Sequence, residues 1–480
     1  MGKPVDTFTV RILLPQIVSH ALIFAVQNAG GLAERFFLAA NTVATASLGL
    51  SWTVFCLLHA FTANVVNVCP LVVGRRIGDG DDAGARAAAG QALLLAGAGG
   101  AVGVVLAAAC GIAAVFVAGP SRDAVLFLAT QGLALTPLLA TRALLGYFAG
   151  TMRVGSRLLA AVSLVPVVLH LALAWLLTGP LAWSVAGAGL ARLGAAVTAA
   201  AAAFAIARGE LGSLRNLICR PNKALLGAML AEGSVLGLQQ VVAALLVLLL
   251  YLMANRAGTI TSAALTLTHS GVYPLLFCFA WGGSQAVGAA AAQAVGRGNP
   301  GELARVAWRC LALSAMLAII LPWGLFLAYA RPTFAWLVGS GPVGEEVLAD
   351  CVRLMGLLAV FFVFDFAVNF LSALLKAVKE QGYLLKATTI AAVVFVVLLV
   401  VLPSPLDSAH LMAAFITTQA AWSLLLIFKV AHRWMATSLR SLGRHDSGVV
   451  ARVGTLCLPV EAPERRSNPA ELKSALVLSR

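Results

Sequence analysis
The chain has 480 residues, 61% of them hydrophobic and only 11% charged, with a formal net charge of +14. Soluble domains carry about 25% charged residues, so a deficit spread over most of the length excludes a soluble globule and equally a globule with one anchor. The basic excess sits in short loops and the tail, which points to the positive-inside bias of a membrane protein and away from nucleic-acid binding.

A helix needs about 20 apolar residues to cross the hydrocarbon. The first segment, MGKPVDTFTVRILLPQIV, runs directly into a long apolar span without a small-residue cleavage site, and predicts a first transmembrane helix rather than a cleaved signal. Spans follow at 10–33, 41–73, 88–118, 123–148, 157–178 and 183–207, then at 227–254, 259–295, 304–330, 346–375, 383–403 and 408–434. The expected fold is therefore an all-α polytopic membrane protein of about twelve helices. Breaks fall where Gly, Pro and charge cluster, as in GRRIGDGDDAGAR, GRGNPGELAR and LPSPLDS.

Alternate joints hold the basic residues: Arg75, Arg76 and Arg86; Arg153 and Arg157; Arg208, Arg215, Arg220 and Lys223; Arg297, Arg305 and Arg309; Lys376, Lys379 and Lys386. This predicts both termini on the cytoplasmic side of a cytoplasmic (inner) membrane. From about Thr437 the chain loses apolar period and carries mixed charge and proline, so a disordered tail is expected over 437–480, with affinity for anionic headgroups. Eight cysteines are scattered singly, without CxxC or metal spacing, and are expected to be small packing residues.

The halves resemble each other. Shifted by about 218 residues, ASLGLSWTVFCLLHAFTANVVNVCPLVVGRRIGDGD falls on ALTLTHSGVYPLLFCFAWGGSQAVGAAAAQAVGRGN, with Gly78 and Gly80 on Gly296 and Gly298. At a shift of about 225, Pro180 falls on Pro405. Two pseudo-symmetric six-helix lobes are predicted, 1–208 and 227–436, joined by a cytoplasmic linker, 209–226. Duplicated lobes that rock about a central site are a common transporter plan.

Of nineteen carboxylates, only Asp365 falls in the middle of a span, within VFFVFDFAVNFLSALLK. The others, Glu34, Asp79, Glu232, Asp350 and Asp407 among them, read as loop or helix-end residues. An intramembrane carboxylate usually marks a transport pathway, and a buried one is suited to binding and releasing a proton. Asn369 and Ser372 follow at i+4 and i+7, completing a polar stripe. The plainer role for Asp365 is a structural one, paired with a buried arginine or capping a kink. Arg142 and Arg192 lie inside first-half spans. Each is a candidate partner for Asp365 across the lobes or for an anionic group of a substrate, unless it simply snorkels.

Neutral polar residues line the first half, with Gln16, His20 and Gln27 on one face of the first helix and Asn28, His59, Asn64 and His170 beyond it. Gln239 and Gln240 stand in the seventh span. His20, His59, His170 and His269 titrate near neutrality when solvated, though each is more commonly a packing residue. Phe361, Phe362, Phe364 and Phe366 flank Asp365, either to stack on a substrate or, as expected here, to face lipid.

LLGYFAGTMRVGSRLLAAVSLVPVVLHLALAWLLTGPLAWSVAGAGLA, LMANRAGTITSAALTL and QAVGRGNPGELAR resemble signatures of the multidrug and toxic compound extrusion (MATE) family, from about Leu14 to about Arg433. The resemblance implies a secondary transporter without cofactors, in which H⁺ or Na⁺ enters as an amphipathic organic compound leaves, acting as a monomer in the bilayer. It places Asp365 on the family's acidic position of the tenth helix. The family's first-helix acid falls in Ala25–Gly30, around Gln27 and Asn28, and its seventh-helix glutamate falls near Ala243, one turn after Gln239 and Gln240. Both positions are neutral here. His170 occupies a fifth-helix position where the family often has asparagine.

A membrane prenyltransferase would need clustered aspartates, and GRGNPGELAR lacks the Lys-Ser/Thr of a phosphate loop, so enzyme readings fall away. A lipid-linked oligosaccharide or lipid flippase of a related superfamily remains the alternative.

Overall fold
The computed structural model describes residues 8–38, 42–153, 155, 158, 160–211, 221–338, 342–402 and 407–445. Every regular element among them is helical. Ten helices are long and apolar enough to cross a membrane, and a pair bent by 50°, Thr259–Leu276 with Cys278–Gly296, makes an eleventh. The remaining predicted span, 304–330, falls on a helix from Pro300 that passes through a π turn with Pro322 before continuing to Val338. Two compact units divide the chain, Met1–Val430 and Ala431–Arg480, and the helical bundle up to Val430 forms the first.

In chain order the first half comprises α1 (Val10–Leu38), α2 (Thr42–Val66), α3 (Cys69–Gly78), α4 (Asp82–Phe116), α5 (Gly119–Gly150), α6 (Val165–Thr178, entered through a π turn at Ala160–Leu164) and α7 (Ser184–Leu211). The second half comprises α8 (Lys223–Ala257), α9 (Thr259–Leu265), a π turn (Thr266–Val272), α10 (Tyr273–Leu276), α11 (Cys278–Gly296), α12 (Pro300–Ala318), α13 (Gly324–Val338), α14 (Pro342–Ala377), α15 (Gln381–Val401) and α16 (Ser408–His445). Helix α16 continues past Thr437, and the rest of the predicted tail lies outside the described residues, as do residues 212–220 of the 209–226 linker.

The internal repeat is written in backbone geometry. Gly80 and Gly298 take positive φ, +77° and +64°, where a Cβ is strained. One residue on, Asp81 and Asn299 cap the following helices, accepting from Gly84 N–H and Glu302 N–H at 2.7 and 3.1 Å. Met152 and Lys379 share another left-handed exit, φ 57° and 62°, each closed by the same pair of backbone bonds.

Each half has its own core. Val66, Leu135, Leu144 and Phe148 lie in the first, and Leu265, Phe277, Leu354, Phe361 and Phe415 in the second. The halves meet reciprocally, α1 against α11 and α2 against α8. Phe24 stacks on Trp281 at 5.1 Å, and Gly233 and Gly237 lie against Val65 and Phe61. Small residues let the backbones approach in a setting where lipid supplies no hydrophobic drive.

At one end the seam is fastened by polar bonds, and that end collects the basic joints. Arg75 on α3 pairs with Glu232 on α8 at 2.8 Å, both only about one-eighth exposed. Gln381 Nε2 donates to the same carboxylate at 2.6 Å. At the repeat-related position Gln293 Nε2 donates to the Gly150 carbonyl at 2.7 Å. Glu232 is thus not the helix-end acid expected from sequence. Asn222 caps α8 several residues earlier than predicted, which puts Glu232 in the third turn of the helix.

Candidate ion-coupling and substrate site
Asp365 lies two-thirds of the way along α14, partly buried inside the second half. Tyr273 Oη donates to its Oδ2 at 2.8 Å, and Asn369 Nδ2 and Gln419 Nε2 donate to Oδ1 at 2.9 and 3.3 Å. Asn369 also donates to the Asp365 carbonyl. These donors are neutral, and among the described residues no arginine, lysine or histidine forms an ion pair with the carboxylate. A hydrogen bond to a charged group contributes roughly 1.5–3 kcal/mol, so three offset much of the several kcal/mol that an intramembrane charge costs. Among the described residues the net negative charge has no counter-ion, which suits a site that takes up a cation.

The local sequence explains how Tyr273 arrives there. Gly271 and Pro274 disfavour a regular α-helix, Pro274 because it has no N–H and crowds the preceding turn. The chain widens into the π turn Thr266–Val272, a deviation frequent at functional sites. The extra residue rotates the remainder of the helix by about 100°. His269, within the turn, stacks on Tyr273 at 5.9 Å, and its Nδ1 lies 3.0 Å from Tyr251 Oη. Phe361 and Phe415 stack at 5.1 Å and wall this group. Phe361 and Phe362 are therefore core residues, 2% and 8% exposed, and not the lipid-facing ones expected. They fill the space behind the π turn.

The other sequence candidates scatter. Ser372 is buried, and its Oγ lacks a hydrogen-bond partner, so within the stripe only Asn369 touches Asp365. Gln239 is buried and Gln240 half-buried on α8. Gln27 is exposed on α1, while the Asn28 and Asn64 amides donate back to their own helices at Phe24 O and Ala60 O. His170 is buried against Gly30. Arg192 lies 6.0 Å from the Phe127 ring and reaches toward Gly31. Arg142, on α5, has His59 as its electrostatic neighbour. Neither arginine pairs with Asp365. Both belong to the first half, so the expected cross-lobe ion pair is replaced by the Tyr273, Asn369 and Gln419 cradle. Tyr273 and Gln419 carried no signal in sequence beyond the Gly/Pro disturbance around Tyr273.

Residues 236–402, which include α14 and the π turn, match the MatE family model. That segment is similar to the MATE family. The fold of the chain agrees over nearly its whole length with solved MATE structures. A MATE protein in complex with MaL6 superposes with a TM-score of 0.77 at 16% identity, covering 89% of this chain and 96% of that one. A multidrug resistance MATE family transporter of the MOP superfamily, in an outward-facing conformation, gives 0.74 at 16% identity over 88% and 96%. A MOP superfamily transporter from Pyrococcus furiosus, whose structure is described as showing reverse polarity of the binding pocket, gives 0.75 at 17% identity over 89% and 96%. No curated protein sequence matches. With ten described helices long and apolar enough to cross a membrane, the chain is a multi-pass membrane protein.

Proposed function
We propose that the protein is a cation-coupled exporter that moves an organic compound out of the cytoplasm as H⁺ or Na⁺ returns through Asp365. The observation that carries this is a carboxylate inside a membrane-spanning helix, held by three neutral donors and, among the described residues, without a cationic partner. A cation bound there removes the net charge, and the donors must then re-pair. The arrangement of α14 against the π turn and α16 thereby acquires two states, and a ligand shifts such an equilibrium only through its differential affinity for them.

In this mechanism residues 1–208 and 227–436 rock as lobes tethered by 209–226, with both termini cytoplasmic and the chain acting as a monomer. The Arg75–Glu232 and Gln293–Gly150 bonds then close the cytoplasmic side while the cavity faces outward. Asn369 is the second ion-site residue and Ser372 lies one turn further along the same stripe.

The test is efflux of a fluorescent organic compound from cells producing the wild type or Asp365→Asn, with the H⁺ and Na⁺ gradients collapsed separately. The wild type stops exporting when one gradient is removed, and the variant loses that dependence. Normal export by the variant contradicts the coupling role, and indifference of the wild type to both gradients contradicts antiport.

A further inference from the structure
Building on this transport function, we propose that the first half binds an anionic group of the substrate at Arg142, so that the exported compounds carry a carboxylate, sulfonate or phosphate. Arg142 lies on α5 and is half-buried. Among the described residues no carboxylate pairs with it and no hydrogen bond holds its guanidinium. The described acids of the first half, Asp79, Asp81, Asp82 and Asp123, stand at helix ends. Asp123, on the same helix, is 19 residues away, about 28 Å along the axis. In the second half Asp365 is occupied by Tyr273, Asn369 and Gln419, and Glu232 is bound to Arg75 and Gln381.

Snorkelling does not account for it. Helical side chains lean toward their own N-terminus. The N-terminus of α5 lies at the end of the bundle away from Gly150 and the basic joints. The guanidinium is accordingly an electrostatic neighbour of His59, which stacks on Phe55 at 5.6 Å on α2. Ala143, beside it, accepts from Cys69 Sγ, ten residues further along the chain from His59 toward the basic end. Arg142 thus reaches inward. An arginine stays charged and presents a planar fork that matches a carboxylate or phosphate. Left unpaired among helices it costs several kcal/mol, which an anionic ligand would offset. Arg192 adds a second positive charge to this half, while the one mid-span acid is on the other side. A cationic substrate would be repelled from the first half, and an anionic one drawn to it.

The experiment uses two dyes on one xanthene scaffold, fluorescein as the anion and rhodamine 123 as the cation. Their binding to the full-length protein in a neutral detergent is followed by fluorescence anisotropy. The wild type is expected to bind fluorescein at least tenfold more tightly than rhodamine 123. Arg142→Met, which removes a charge that no described carboxylate pairs with and keeps a side chain of similar length, is expected to lose that preference by tenfold or more, and Arg142→Lys to keep most of it. Equal binding of the two dyes, or an unchanged preference in Arg142→Met, overturns the proposal. Binding is read without any gradient, so a failure of transport with the preference intact counts against export and not against the anion site.

Discussion

Gly78 and Gly296, equivalent positions of the internal repeat, lie against each other where α3 crosses α11. A Cβ built on either would stand 3.0 Å from the Cα of the other and collide with a carbonyl oxygen, that of Gln293 for Gly78 and that of Arg75 for Gly296. The carbonyls in question are themselves repeat-related, so the contact is an intramolecular two-fold, made by the same surface on both halves. Gly78→Ala and Gly296→Ala should therefore each weaken closure at this end to a similar degree. Spin labels at Arg76→Cys and Arg305→Cys should report a longer interlobe distance in both. An unchanged distance would mean that the seam tolerates a methyl group and does not set the closed state.

Glu232→Gln removes the ion pair that crosses the same seam and leaves Arg75 with one neutral acceptor. A hydrogen bond between charged groups contributes about 2 kcal/mol, and at one-eighth exposure the solvent screens little of it. The open population should rise roughly tenfold or more in the same distance measurement. Adding Arg75→Gln should recover part of the loss, since the uncompensated charge is then gone.

Tyr273→Phe deletes one donor to Asp365 and keeps the ring that stacks on His269. Export should fall by about tenfold, the equivalent of one charge-assisted hydrogen bond, with the amount of folded protein unchanged. His269→Phe preserves the aromatic packing and removes the Nδ1 beside Tyr251. It should slow export less, because His269 reaches Asp365 only through Tyr273. A larger effect of His269→Phe than of Tyr273→Phe would place the chemistry at the imidazole.

The number and placement of the helices were legible in sequence because hydrocarbon thickness imposes a length on every span. The repeat was legible because Gly80 and Gly298 must take positive φ and therefore stay glycine in both copies. Asp365 stood out as the sole mid-span acid. Its partners did not, for a topological reason: Tyr273 and Gln419 lie 92 and 54 residues away, and only tertiary packing brings them in. The π turn also shifts the phase of the helix that carries Tyr273, so counting at 3.6 residues per turn misplaces it. Glu232 was misread by a boundary error. The apolar run suggests a helix from 227, whereas Asn222 caps it earlier and moves the acid inward. Ser372 shares a stripe with Asp365 by spacing, yet its hydroxyl makes no hydrogen bond to it, because stripe membership fixes direction but not contact.

Coupling through Asp365 is tested most directly in proteoliposomes loaded with a transported dye, with an inward H⁺ or Na⁺ gradient imposed across the membrane. One of the two gradients should accelerate dye exit through the wild type, and Asp365→Asn should bind the dye normally while responding to neither. Gradient-driven exit through Asp365→Asn at the wild-type rate would contradict the account.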